Sequence, residues 1–100
     1  MNTIELKLNE QKRGGFVIDN GDERLAEMQV AIIDKNLVVY HTEVADKLRG
    51  QGIAPQLLAE MVAYARSNKL MVVPLCAYVS VQFKRHPDQY ADIWNHSWHP

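Results

Sequence analysis

Cysteine occurs once in this chain, at Cys76, so no internal disulfide can form. A lone thiol fits a reducing compartment. An excess of charge is also missing. Eleven Lys and Arg stand against twelve Asp and Glu, for a formal net charge of -1. That balance gives no bulk attraction to nucleic acid or to an anionic membrane. No apolar run is long enough to cross a bilayer. The first residues, Met1-Asn2-Thr3-Ile4-Glu5, lack the pattern of a signal peptide. Internal repeats and low-complexity linkers are absent too. These absences predict a soluble cytoplasmic protein with neither nucleic-acid nor membrane partners.

What remains is ordinary globular material: 47% hydrophobic and 23% charged residues in a chain of 100. That length suits one domain with a real but modest core. We place the domain at residues 1–94 and a tail without clear pattern at 95–100. Ile4, Leu6 and Leu8 alternate with Glu5 and Lys7, the period of a half-buried strand. Glu10 to Gly15 reads as a polar turn, and Phe16-Val17-Ile18 as a short second strand. Asn20-Gly21 is a strong hairpin signal. Arg24 to Ile33 has a first half that would suit a helix, but Gln29-Val30-Ala31-Ile32-Ile33 favours a strand. Asp34-Lys35-Asn36 is another turn, and Leu37 to Val44 is rich in β-formers. The first half is therefore an antiparallel meander.

The period then changes. Ile53, Ala54, Leu57, Leu58, Met61, Val62 and Ala65 recur at helical spacing, and Pro55 suits the first turn. Leu70 to Leu75 is a continuous apolar run, a fifth strand buried on both faces. Ala77 to Arg85 reads as a short helix with Tyr78, Val81 and Phe83 inward. Pro87-Asp88 opens a last turn carrying Tyr90, Ile93 and Trp94. Strand, helix, strand is a βαβ unit, with parallel strands and a right-handed crossover. The fold class is thus α+β, a mixed α/β sheet with a meander followed by a βαβ unit. Pro74 cannot donate a ladder bond, so pairing near it should stop. A gap between strands four and five would leave backbone groups free for an extended ligand.

The chain is organised around Val44-Ala45-Asp46-Lys47-Leu48-Arg49-Gly50-Gln51-Gly52-Ile53-Ala54. A strand, a turn with Gly50 and Gly52, and a helix start make a phosphate cradle, because the first amides of a helix lack partners and carry partial positive charge. No Lys-Ser or Lys-Thr follows, so it is not the nucleoside-triphosphate loop. The three-glycine dinucleotide pattern is absent as well. Cys76, after strand five, falls on the same sheet edge as this loop.

Arg49-Gly50-Gln51-Gly52-Ile53-Ala54 resembles the acetyl-coenzyme A signature of the GCN5-related N-acetyltransferases (GNAT). His41-Thr42-Glu43-Val44, Val72-Val73-Pro74-Leu75-Cys76 and Arg85-His86-Pro87 sharpen the likeness toward the small single-domain YjdJ-type branch. The resemblance implies acetyl-coenzyme A as co-substrate, held between splayed strands four and five. It places the pyrophosphate on the amides of Arg49, Gly50, Gln51, Gly52, Ile53 and Ala54, and the pantetheine against the backbone of Glu43 and Val44. It also places Cys76 near the thioester. Larger relatives have two helices between the first two strands. Here only Glu10 to Gly15 stands there, so the acceptor side should be open to a protein, peptide or small-molecule amine. The expected function is acetyl transfer to such an amine by a monomer or weak homodimer. The alternative is a coenzyme A-binding module without turnover that acts through a partner. A thiol-based sensor is a third reading.

The candidate residues carry plain alternatives. Cys76 is either a nucleophile that takes the acetyl group, a liner of the tunnel, or a small buried hydrophobe. His41 and Glu43 are two apart on a strand and share a face, where either would accept the amine's proton. Otherwise they are a solvated polar face. His86 and Tyr78 are candidates to protonate the leaving thiolate, and His86 is equally a cap beside Pro87. Arg49, favoured because it starts the motif, and Lys84, Arg85 and His86 are the candidates to meet coenzyme A, its phosphates above all; Lys84 and Arg85 otherwise simply end a helix with cations. His96 and His99 with Trp94 and Trp98 fit no tight ligand spacing, so no metal is expected.

Overall fold

A computed structural model describes residues 3–98. Its elements are β1 (Glu5–Leu8), β2 (Arg13–Asn20), β3 (Glu23–Ile33), β4 (Asn36–Val44), a 3-10 turn (Asp46–Leu48), α1 (Ile53–Ser67), β5 (Met71–Pro74), α2 (Ala77–Arg85) and α3 (Pro87–Tyr90). The sheet runs β1-β2-β3-β4-β5, antiparallel except for the parallel β4–β5 pair. This is the expected mixed sheet. Arg24 to Ile33, whose first half would suit a helix and whose second half favours a strand, is strand throughout.

One expected turn is in part strand. Arg13, Gly14 and Gly15 belong to β2; Gly14 and Gly15 pair across to both neighbours and Arg13 to β3. The glycines are there for close approach. A Cβ on Gly14 would stand 1.8 Å from the Lys7 carbonyl oxygen, and one on Gly15 2.7 Å from that of Met28. The β2–β3 hairpin turns on Gly21-Asp22, with Gly21 at φ 61°.

A second departure matters more. Gln29 pairs with His41 and Val30 with Val39, so Tyr40 is an extra residue in β4. Such a bulge bends its strand and interrupts the ladder. The β5 partnership ends just there, at Val39–Pro74. Proline has no N–H to continue it. Cys76 N–H still reaches the Val39 carbonyl at 2.8 Å, and past that point β4 continues to Val44 paired with β3 but without β5.

Phe16, Ile18, Met28, Val30, Leu37, Val39 and Val72 of the sheet meet Leu57, Leu58, Met61, Val62 and Ala65 of α1, Val79 and Phe83 of α2, and Tyr90 and Ile93. Fully burying each large aliphatic contributes roughly 1.5–3 kcal/mol. In α2 it is Val79, four residues before Phe83, that points inward; Val81 is exposed. Leu75, expected inside β5, is 53% exposed. Phe83 stacks on Tyr90 at 4.3 Å between ring centroids and meets Trp94 edge-on. The tail expected from residue 95 is tied in at its start. Asn95 N–H donates to the Val72 carbonyl, and its side-chain amide to Asn36. His99 lies outside the described residues.

The other sheet face carries Lys7, Asp19, Glu27, Gln29, His41 and Glu43. Asp19 receives Arg24 and Lys7, and Asp92 receives Arg66. Hydrogen bonds from these cations hold both carboxyls below the usual range, Arg24 first for Asp19 and Arg66 for Asp92. A depressed folded pKa gives stability that is present above the unfolded value of about 3.9 and is lost as pH falls through the folded one. The acid limb of a thermal-melt series should therefore flatten in Asp19→Asn/Asp92→Asn, with little change among the curves near neutral pH beyond a uniform offset.

Candidate functional site

The β4–α1 elbow is built so that its amides stay unused. Gly50 and Gly52 have φ of 79° and 71°, which L-residues with a Cβ adopt at a cost. Arg49 N–H donates to the Asp46 carbonyl and Gln51 N–H to that of Leu48. Among the described residues, the N–H groups of Gly50, Gly52, Ile53 and Ala54 have no protein acceptor. Gly52 caps α1 without a side-chain hydrogen bond, so no hydroxyl or carboxylate occupies those donors. Nothing lies within 4 Å of a Cβ built on either glycine. Four free amides at the positive end of a fifteen-residue helix form an anion cradle. Arg49 is exposed beside it and is held by Asp46 at 3.0 Å. Lys47 pins the loop to Glu23 at 2.8 Å.

The free end of β4 supplies the second part. Ala45 N–H donates to the Leu25 carbonyl. Antiparallel strands alternate which residues face the partner. Glu43 and His41 therefore turn their main-chain groups to β3, and Thr42 and Val44 turn theirs to the side that β5 has vacated. The resemblance assigned that place to Glu43 and Val44; alternation gives it to Thr42 and Val44. Thr42 is the residue the sequence reading missed.

Its side chain adds to this. Thr42 Oγ1 lies 3.3 Å from Cys76 Sγ, across the opening between β4 and the start of α2. Cys76 is the N-cap of α2 and only 3% exposed. His41 and Glu43 are joined to each other, Nε2 to Oε1 at 3.0 Å, on the opposite sheet face and well exposed. The structure thus unites Thr42 with Cys76 and His41 with Glu43, but separates the two pairs by the thickness of β4.

Residues 15–93 match the family model described as GCN5-related N-acetyl-transferase. The chain belongs to that family. A GCN5-like candidate N-acetyltransferase from Staphylococcus aureus is 31% identical, with 95% of this chain and 94% of that one covered and a TM-score of 0.66. The ribosomal-protein-S18-alanine N-acetyltransferase of Escherichia coli shares the fold, with a TM-score of 0.55 at 11% identity over 64% of this chain. The present chain spans 42% of that enzyme. No curated protein matches the chain.

As a member of the GCN5-related N-acetyltransferase family, the chain places the remaining candidates unevenly. Tyr78 stands in the first turn of α2, two residues after Cys76. Burial raises its pKa, with Tyr90 and Cys76 nearby adding to the shift, so the phenol keeps its proton at neutral pH. His86 is the C-cap of α2, about 15 Å along the helix axis from Cys76. That distance removes it as a proton donor beside the thiol. Lys84 and Arg85 sit at the same far end. Among the described residues, none of these three makes a side-chain hydrogen bond or ion pair. A cavity of about 140 Å³, lined by Glu27, Glu43, Val44 and Ala45 among others, opens beside Glu43. Among the described residues, no helix is long and apolar enough to cross a membrane.

Proposed function

We propose that this chain is an N-acetyltransferase that uses acetyl-coenzyme A and belongs to the small single-domain branch of its family. The observation that carries the reading is the run of four unpartnered amides at Gly50, Gly52, Ile53 and Ala54. They lie next to a β4 end that has lost its neighbour. The diphosphate would take the amides. The pantetheine, an extended chain with amide groups, would pair with Thr42 and Val44 as a missing strand. The thioester would then lie near Cys76. Agreement over nearly the whole length of the Staphylococcus aureus protein supports the branch.

In the proposed reaction the Cys76 thiolate attacks the acyl carbon. The new C–Sγ bond replaces the bond to coenzyme A, which leaves as a thiolate and takes a proton from Tyr78. An amine then attacks acetyl-Cys76 with its lone pair, its proton passes to a base and on to solvent, Tyr78 regains a proton from solvent, and the thiolate is restored. Only Asn9 to Lys12 joins β1 to β2, so no helix pair walls off the acceptor. An amine on a peptide, a protein or a small molecule has room. The second reading, a coenzyme A-binding module without turnover, has one observation in its favour: Cys76 is almost closed to solvent.

The test is a native mass spectrum of the purified protein together with acetyl transfer from labelled acetyl-coenzyme A to polyamines and histone-like peptides. Retained coenzyme A, a +42 Da adduct at Cys76 (the mass of a ketene unit gained on acetylation, roughly) and a labelled acceptor are expected. Binding with no labelled acceptor of any kind would favour the binding module.

A further inference from the structure

We infer that the hydroxyl of Thr42 is a positioning group for acetyl transfer, holding the Cys76 thiol at the opening between β4 and α2. This rests on the reading that acetyl passes through Cys76. Three observations meet here. The ladder between β4 and β5 has ended at Val39–Pro74, so main-chain pairing no longer sets the distance across the opening. The Thr42 Oγ1–Cys76 Sγ contact at 3.3 Å is the side-chain hydrogen bond that spans it among the described residues. By alternation, Thr42 also offers its main-chain N–H and carbonyl to that same opening.

One residue therefore serves both partners of the step. Its backbone would fix the pantetheine and with it the acyl carbon, while its side chain fixes the attacking sulfur. A threonine suits this better than a serine in one respect: a β-branched side chain has few χ1 rotamers, so its oxygen has little freedom to turn away. A misplacement of the reacting atoms by about 1 Å is enough to slow such a step strongly. Apart from its packing in the core, Cys76 is held through its own main chain, by the N–H to Val39 and by capping α2. Neither contact sets the direction of Sγ.

Thr42→Val keeps the branched shape and the backbone while deleting the oxygen. Thr42→Ser keeps the oxygen. We expect Thr42→Val to lower kcat about tenfold, with KM for acetyl-coenzyme A unchanged and slower appearance of acetyl on Cys76. Thr42→Ser should recover most of the rate. A purely structural role would lower melting temperature in both variants without dividing kcat from KM. Acetylation of Cys76 in Thr42→Val at the wild-type rate overturns the inference and leaves the Cys76 route standing. Acetyl never found on Cys76 of the wild-type protein, with turnover intact, overturns the route and the inference together.

Discussion

Gly52→Asp is expected to weaken coenzyme A binding by at least about a hundredfold while leaving a folded protein. Gly52 has φ 71°, and nothing stands within 4 Å of an added Cβ. Aspartate tolerates the left-handed region better than most residues, so the fold should lose only roughly 1 kcal/mol. The carboxylate would stand among the amides of Gly50, Gly52, Ile53 and Ala54, where the diphosphate must bind. Like charges at that range cost several kcal/mol. Gly52→Asn makes the same demand on the backbone and has nearly the same size, without the charge. Titration calorimetry on the two variants, with melting curves alongside, isolates the charge. Equal affinities for Asp and Asn would mean that the anion does not sit at this elbow.

Much of this site was legible in the sequence because its signals are local. A strand, two glycines and an amphipathic run fix an elbow within eleven residues. Pro74 announces where a ladder must stop. Period two places His41 and Glu43 on one face whatever the neighbouring strands do. The rest depended on register, which no local signal carries. The Tyr40 bulge has no distinctive residue, yet together with the register it decides that Thr42 and not Glu43 turns its backbone to the opening. Gly14-Gly15 looked like a turn because glycine usually marks one. Here it marks two backbones too close for a side chain. Val79 displaced Val81 from the inward face of α2 because the helix presents the i and i+4 positions that match Phe83. Arg85 and His86 stand in a family word with Lys84 beside it, and the length of α2 carries all three away from the thiol.

Cys76→Ala is expected to cut turnover by on the order of a hundredfold to a thousandfold while coenzyme A still binds. The side chain is buried, and its loss removes one sulfur atom from a core of some twenty residues. Stability should fall by about 1 kcal/mol, well inside the margin of a domain this size. The division of the site favours a covalent route. The thiol and Thr42 lie on the helix side of β4, whereas His41 and Glu43 lie on the polar face. The polar-face pair cannot serve the sulfur, but through a water at the strand edge it can take the proton of the attacking amine. Two steps with separate helpers give ping-pong kinetics: parallel double-reciprocal lines in the wild type, lost with the thiol. Glu43→Gln should slow only the second step, so that acetyl accumulates on Cys76. If Cys76→Ala keeps its turnover while Glu43→Gln loses it without any acetyl on the protein, the amine attacks acetyl-coenzyme A directly. The thiol then does no more than line the passage between β4 and α2.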